Sequence, residues 1–114
     1  MSSIETLLKI DDFFKHIENT NELDLTKDLS WGYYFSNSNK AGLEKMKNIL
    51  LFEEDYSFAE IVKMQDDNKF YLHMEKIEKH TKDSLLERSR LLNNIAKKYN
   101  VDSYDGFDAE YYIN

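Results

Sequence analysis

The sequence predicts an α+β fold, a four-stranded antiparallel sheet carrying two helices on one face, with an additional N-terminal helix. Three observations carry that prediction. Apolar residues recur near the 3.6-residue period over 2–19 and again over 82–99. They alternate strictly over 70–75, where Phe70, Leu72 and Met74 point one way and Tyr71, His73 and Glu75 the other. Between these blocks lie short aromatic or β-branched runs, bounded by clusters of Ser, Asn and Asp that punctuate strands with turns.

In chain order, Ser2 and Glu5 have capping-box spacing, and Ile4, Leu7, Leu8, Ile10, Phe13, Phe14 and Ile17 follow as a wide apolar stripe. Residues 19–29 are polar and aperiodic, a connection. Trp31-Gly32-Tyr33-Tyr34-Phe35 is the first strand, closed by the turn-forming run Ser36-Asn37-Ser38-Asn39. Gly32 inside so aromatic a strand marks a bulge or a close contact. A helix over about 39–52 turns Leu43, Met46, Ile49 and Leu50 inward, and Glu53-Glu54-Asp55 ends it. Tyr56 to Met64 reads as the second strand. Asp66-Asp67-Asn68 is a tight turn, because short polar side chains tolerate left-handed backbone. The alternating third strand follows.

Thr81 caps a helix over 82–99, with Leu85, Leu92, Ala96 and Tyr99 along one line and Leu86, Leu91 and Ile95 widening it. Asn100 is the expected C-cap residue. Asp105-Gly106 then reads as a turn leading into a last strand through Ile113. After the first helix the order is βαββαβ, the split βαβ arrangement of a ferredoxin-like sandwich. The sheet's second face is left for solvent, the N-terminal helix or a partner.

Composition narrows the function. A chain of 114 residues fits one domain. With 41% hydrophobic and 14% aromatic residues it is too apolar for a disordered segment. The longest apolar run, Ile49-Leu50-Leu51-Phe52, is far short of the ~20 residues of a membrane span. The N-terminus has no basic and apolar signal, so a soluble cytoplasmic protein is expected. With no Cys, disulfides, thiolate catalysis and thiolate metal sites are excluded. A net charge of −7 opposes direct nucleic-acid binding and suits a basic protein partner. Trp31, Tyr33, Tyr71 and Tyr112 could suggest a base-stacking sheet, but neither an RNP1 pattern nor interleaved Lys and Arg accompanies them.

No residue set with chemistry of its own stands out. His16, His73 and His80 lack paired metal-ligand spacing and read as exposed or edge-strand histidines, so no metal and no cofactor are expected. Three glycines cannot build a phosphate-cradling loop, and the carboxylate pairs fall on helix surfaces and turns. An enzyme is not expected. A second class would use the open face around Tyr71, His73 and Glu75 as a catalytic or small-ligand site, if His73 and a carboxylate shared a deep pocket. A third is a homodimer joined through that face. Charge is more telling: residues 53–67 hold Glu53, Glu54, Asp55, Glu60, Asp66 and Asp67 against Lys63. Asp102, Asp105, Asp108 and Glu110 have no basic neighbour over 101–114, whereas the helix 82–98 is net basic.

The segment Leu91-Leu92-Asn93-Asn94-Ile95-Ala96-Lys97-Lys98-Tyr99-Asn100-Val101-Asp102-Ser103-Tyr104-Asp105-Gly106-Phe107 resembles the end of the regulator of ribonuclease E activity B (RraB) family. There a helix ends in an Ala-Glu-Lys-Phe-type run, and a short Val-Glu link leads to Tyr-Asp-Gly-Trp and an acidic, aromatic strand. This chain has one extra residue before Tyr104, Phe107 in place of the Trp, and no long acidic tail. The family's ferredoxin-like fold agrees with the order of elements, its first strand falling on Trp31–Phe35. On this reading 1–114 is a single domain, with 1–28 the N-terminal helix and linker and 29–114 the RraB-like sandwich.

The resemblance implies a non-catalytic acidic protein that binds a ribonuclease, ribonuclease E or its scaffold region, and restrains it. The alternative is an immunity protein neutralising a cognate toxin nuclease of a bacterial competition (contact-dependent inhibition) system, an idea suggested by the drifted motif and absent tail. Charge clustering nominates Glu53, Glu54, Asp55, Asp66, Asp67, Asp105, Asp108, Glu110, Tyr111 and Tyr112 as partner-binding residues. The carboxylates would pair with Lys or Arg of the nuclease and the tyrosines would supply contact area at low entropy cost. The expected state is a monomer or weak homodimer, with no direct nucleic-acid and no membrane partner.

Overall fold

Seven elements appear in the expected order: α1 (Ser3–Thr20), β1 (Leu29–Asn37), α2 (Lys40–Glu53), β2 (Phe58–Lys63), β3 (Phe70–Glu78), α3 (Lys82–Lys98) and β4 (Ser103–Glu110). They are taken from a computed structural model that describes residues 3–112. The expected cap at Ser2 lies outside the described residues, and the last strand ends at Glu110 rather than running on through Tyr111 and Tyr112 toward Ile113, which is itself outside them. The strands form one antiparallel sheet in the order β2-β3-β1-β4, so the fold is α+β and ferredoxin-like with an N-terminal helix.

Strand alternation builds the core. Leu29, Trp31, Tyr33 and Phe35 of β1 and Leu72 and Met74 of β3 are fully buried on one face. Leu43, Met46 and Leu50 of α2 and Leu85, Leu92 and Ala96 of α3 close over them. The first helix lies on this same side. Its Phe13 ring packs 5.6 Å from Trp31 and 5.5 Å from Phe107, and its Asp11 pairs with Lys82 of α3 at 3.7 Å. No described helix therefore covers the second face.

The wide stripe of α1 is only half used. Ile10, Phe14 and Ile17 are buried with Thr6, but Ile4, Leu7 and Leu8 are exposed. At about 100° per residue, Ile4 and Leu8 point well over 90° away from the line through Thr6, Ile10 and Ile17. One contact face cannot take all seven positions.

Local chemistry sets the boundaries. Thr81 accepts from the Ser84 amide while the Ser84 hydroxyl accepts from the Thr81 amide, a reciprocal cap for α3. At the other end Asn100 adopts φ 56°, with its amide donating to Lys97 O and that of Val101 to Ala96 O. Asn68 takes φ 55° in the β2–β3 hairpin. The expected turn after the first strand starts later than the run Ser36-Asn37 suggests. Both residues belong to β1 and are buried, because Asn37 Oδ1 accepts from the Asp102 amide at 3.1 Å and ties β1 to the approach to β4.

Asp105-Gly106 is not a turn. It lies inside β4, where Gly106 pairs with Tyr34 and Tyr104 with Phe35, leaving Asp105 as the extra residue of a β-bulge. Gly106 has φ 134°, which an L side chain rarely adopts. Asp-Gly signals unusual backbone in both settings, and only strand pairing decides which one is made. Gly106→Ala is expected to cost about 1–3 kcal/mol, read as a Tm several degrees lower by calorimetry.

Candidate functional site: the open sheet face

Register places the second face residue by residue. Across β2-β3-β1-β4, one row runs Phe58, Glu75, Gly32, Asp108 and the next runs Glu60, His73, Tyr34, Gly106. Val62, Tyr71, Ser36 and Ser103 flank them on one side, and Ile77, Ser30 and Glu110 on the other. Ser103 Oγ donates to Asp105 Oδ1 at 2.6 Å, which brings the bulge carboxylate onto the same side. Five carboxylates thus share this face with no Lys or Arg among its strand positions.

The centre is ordered by side chains. Tyr34 stacks on His73 with ring centroids 4.6 Å apart and planes 11° from parallel, and Phe58 meets His73 edge-on at 5.5 Å. Tyr34 Oη donates to Asp108 Oδ2 at 2.7 Å, and Ser30 Oγ to Glu75 Oε1 at 2.8 Å. His73 Nε2 stands 3.9 Å from Glu75 Oε2. Burial and then the bond to Asp108 push the Tyr34 phenol above its ordinary range, so it is a donor here. These groups converge over Gly32. A Cβ there would collide with Asp108 Oδ1 and lie 3.1 Å from Tyr34 Oη and 3.2 Å from His73 Nε2. Of the two expectations for Gly32, close contact is the correct one, and the bulge lies across the sheet at Asp105.

Of the nominated residues, the structure brings Asp105, Asp108 and Glu110 together on this face. Asp67, in the β2–β3 hairpin, adjoins it by accepting from Tyr71 Oη, a bond that holds the exposed Asp67 carboxyl below its usual range. Asp66 is exposed in the same hairpin. Glu53, Glu54 and Asp55 are exposed but sit on the helix side. The backbone carbonyls of Glu54 and Asp55 accept from Lys76 Nζ, whose strand position faces the helices beside Trp31. Tyr111 is turned to the α1–β1 connection, where its hydroxyl accepts from the Asp24 amide at 2.8 Å. Tyr112 follows it, exposed.

The sequence reading missed Tyr34, Ser30, Phe58 and Glu60 as residues that share a sheet face with Asp108. The parity of the first strand was a legible signal, since Ser30, Gly32, Tyr34 and Ser36 alternate with its core residues. Trp31 and Tyr33 lie under the helices and Tyr71 on the opposite side, so a base-stacking platform of these rings is not formed. His73 and Glu75 are neighbours, yet on an open face; the clefts beside α1 and α3 are lined by other residues, including His16 and His80.

His80 corrects the expectation of exposed or edge-strand histidines: it is buried at the β3–α3 junction. Its Nε2 lies 2.8 Å from Glu78 Oε2 and 2.9 Å from Tyr33 Oη, and its Nδ1 2.9 Å from Ser84 Oγ. Tyr33 Oη also donates to Glu78 at 2.5 Å, and Arg88 Nη2 to its other oxygen at 2.6 Å. Burial alone would raise the Glu78 pKa. The bonds from His80, Tyr33 and Arg88 outweigh it and bring the carboxyl down to about 2. This paired, largely enclosed network fastens β3 to α3.

Among the described residues no group of three or more His, Cys, Asp or Glu could hold a metal ion, and no helix is long and apolar enough to cross a membrane. The fold and the site together define an α+β sandwich with one acidic, aromatic sheet face that no described helix covers. Residues 10–109 match the family model described as RraB, regulator of ribonuclease activity B, and the chain belongs to that family. A comparison with curated protein sequences finds no match.

Proposed function

We propose that this regulator binds a ribonuclease directly and restrains it without catalysing a reaction of its own. The observation that carries the reading is a sheet face with five carboxylates and no Lys or Arg among its described strand positions, in a chain of the RraB family. Ribonucleases hold RNA through Lys and Arg, so an acidic protein is steered to the same surface and screens it from the substrate. Asp105, Asp108 and Glu110 are the centre of the contact. Asp66 and Asp67 extend it at the hairpin, while Glu53, Glu54, Asp55, Tyr111 and Tyr112 belong to its margin.

Affinity purification with the tagged full chain, followed by identification of bound proteins and an RNA-cleavage assay, tests the reading. The expected result is recovery of a ribonuclease at about 50 mM salt, slower RNA cleavage when the chain is added, and weaker recovery at about 500 mM as surface charges are screened. Recovery of a toxin nuclease encoded beside the chain would move the assignment to an immunity protein. Recovery of no nuclease at either salt would overturn direct ribonuclease binding.

A further inference from the structure

The row Glu75-Gly32-Asp108 differs from an ordinary acidic surface in three respects. Its two carboxylates flank Gly32, the one position on β1 that has no side chain, and Asp108 Oδ1, Tyr34 Oη and His73 Nε2 close in over it. Both are held by a hydroxyl of β1, Asp108 Oδ2 by Tyr34 and Glu75 Oε1 by Ser30. Beside them runs an aromatic band in which Phe58 meets His73 and His73 stacks on Tyr34. A guanidinium is the cation that combines planar pairing to carboxylates with stacking on aromatic rings; an ammonium does only the first.

We propose that the open sheet face is an arginine-docking surface, on which an Arg side chain of the partner ribonuclease pairs with Asp108 and Glu75 beside the Tyr34–His73 stack. The inference rests on the proposed function for the partner's identity, and it adds the face and the side chain that are recognised. Charge selects the occupant. Glu60, Asp105 and Glu110 surround the same row, so a second copy presenting this face would be repelled while a basic segment is attracted.

The test uses the full chain, isotopically labelled, titrated with hexa-arginine and separately with hexa-lysine at about 50 mM salt. The same chain is used to capture the ribonuclease. The expected result is that resonances of Gly32, Tyr34, His73 and Asp108 shift most, and that hexa-arginine binds at least about fivefold more tightly than hexa-lysine. Asp108→Asn with Glu75→Gln keeps both hydrogen-bond acceptors and should weaken hexa-arginine binding and ribonuclease capture at least tenfold. Asp12→Asn with Glu18→Gln, the same charge change on α1, should leave both within about twofold. Unchanged thermal unfolding of both double variants separates lost binding from lost fold.

Equal weakening by the two double variants would overturn the inference, reducing it to net charge. So would shifts centred on Glu53–Asp55, or a dimer in sedimentation that depends on Asp108. If the peptide maps to the face but no ribonuclease is captured, arginine docking stands and the ribonuclease reading falls. If ribonuclease is captured undiminished by Asp108→Asn with Glu75→Gln, the reading stands and the docking surface is wrong.

Discussion

Replacing Glu78 by Gln is expected to lower stability by about 3–5 kcal/mol, the range for breaking one side of a buried ion pair. The size follows from what the carboxylate serves. Arg88, His80 and Tyr33 all direct polar atoms at it within 2.5–2.8 Å, and its side chain is 12% exposed against 19% for Arg88. Glutamine keeps the shape but turns an NH2 toward some of these donors and leaves the guanidinium without its counter-charge. Urea unfolding at pH 7 measures the loss; a change under 1 kcal/mol would show that the network is not a unit. The wild type carries a matching pH signature. The folded-state pKa of Glu78, about 2, lies below its ordinary 4.5, so the stabilisation is complete above pH 4.5 and fades as pH falls toward 2. A shift of that size corresponds to roughly 3 kcal/mol. The Gln variant should lack this contribution and show a shallower loss of stability across that window.

Trp31→Ala carries the other large effect, again about 3–5 kcal/mol. The indole is fully buried, packs against Phe13 and Phe107, meets His80 edge-on at 4.8 Å and donates from Nε1 to Glu78 O at 3.0 Å. It is therefore the joint where α1, the sheet and the β3–α3 junction meet. Small domains hold only about 5–15 kcal/mol in total, so the variant should unfold near physiological temperature. Trp31→Phe retains much of the ring packing and loses the hydrogen bond, and should cost well under half as much. Calorimetry of the pair separates packing from the bond.

Much of the fold was legible because it is periodic. Strict alternation at 70–75 gave the faces of β3 correctly, and Thr81 and Asn100 marked the ends of α3 through cap chemistry that acts within a few residues. What failed needed distant partners. Asp105-Gly106 reads as a turn until β1 is laid beside it. His80 looks like a surface residue until Glu78, Tyr33 and Arg88 are brought around it, from 2, 47 and 8 positions away. The site divided in the same way. Charge clustering in sequence nominated Asp105, Asp108 and Glu110, which the structure brings to one face, but it weighted Glu53–Asp55 equally and could not see that Lys76 binds the carbonyls of Glu54 and Asp55 on the helix side. Tyr34 and Glu60 were not among the nominated residues, because only the register of three strand pairs puts them on the same face as Asp108.

Placing all three helices on one side of the sheet has a consequence for the protein at rest. A two-layer fold exposes Phe58, Val62 and Ile77 on strands whose backs are already packed, the kind of surface that stacks on copies of itself. The interspersed carboxylates act as gatekeepers, keeping molecules apart by mutual repulsion. That protection depends on ionisation. As pH is lowered toward the isoelectric point near 4.9 it should weaken before the fold does, so light scattering is expected to rise in acid while the near-ultraviolet signature of the buried Trp31 persists.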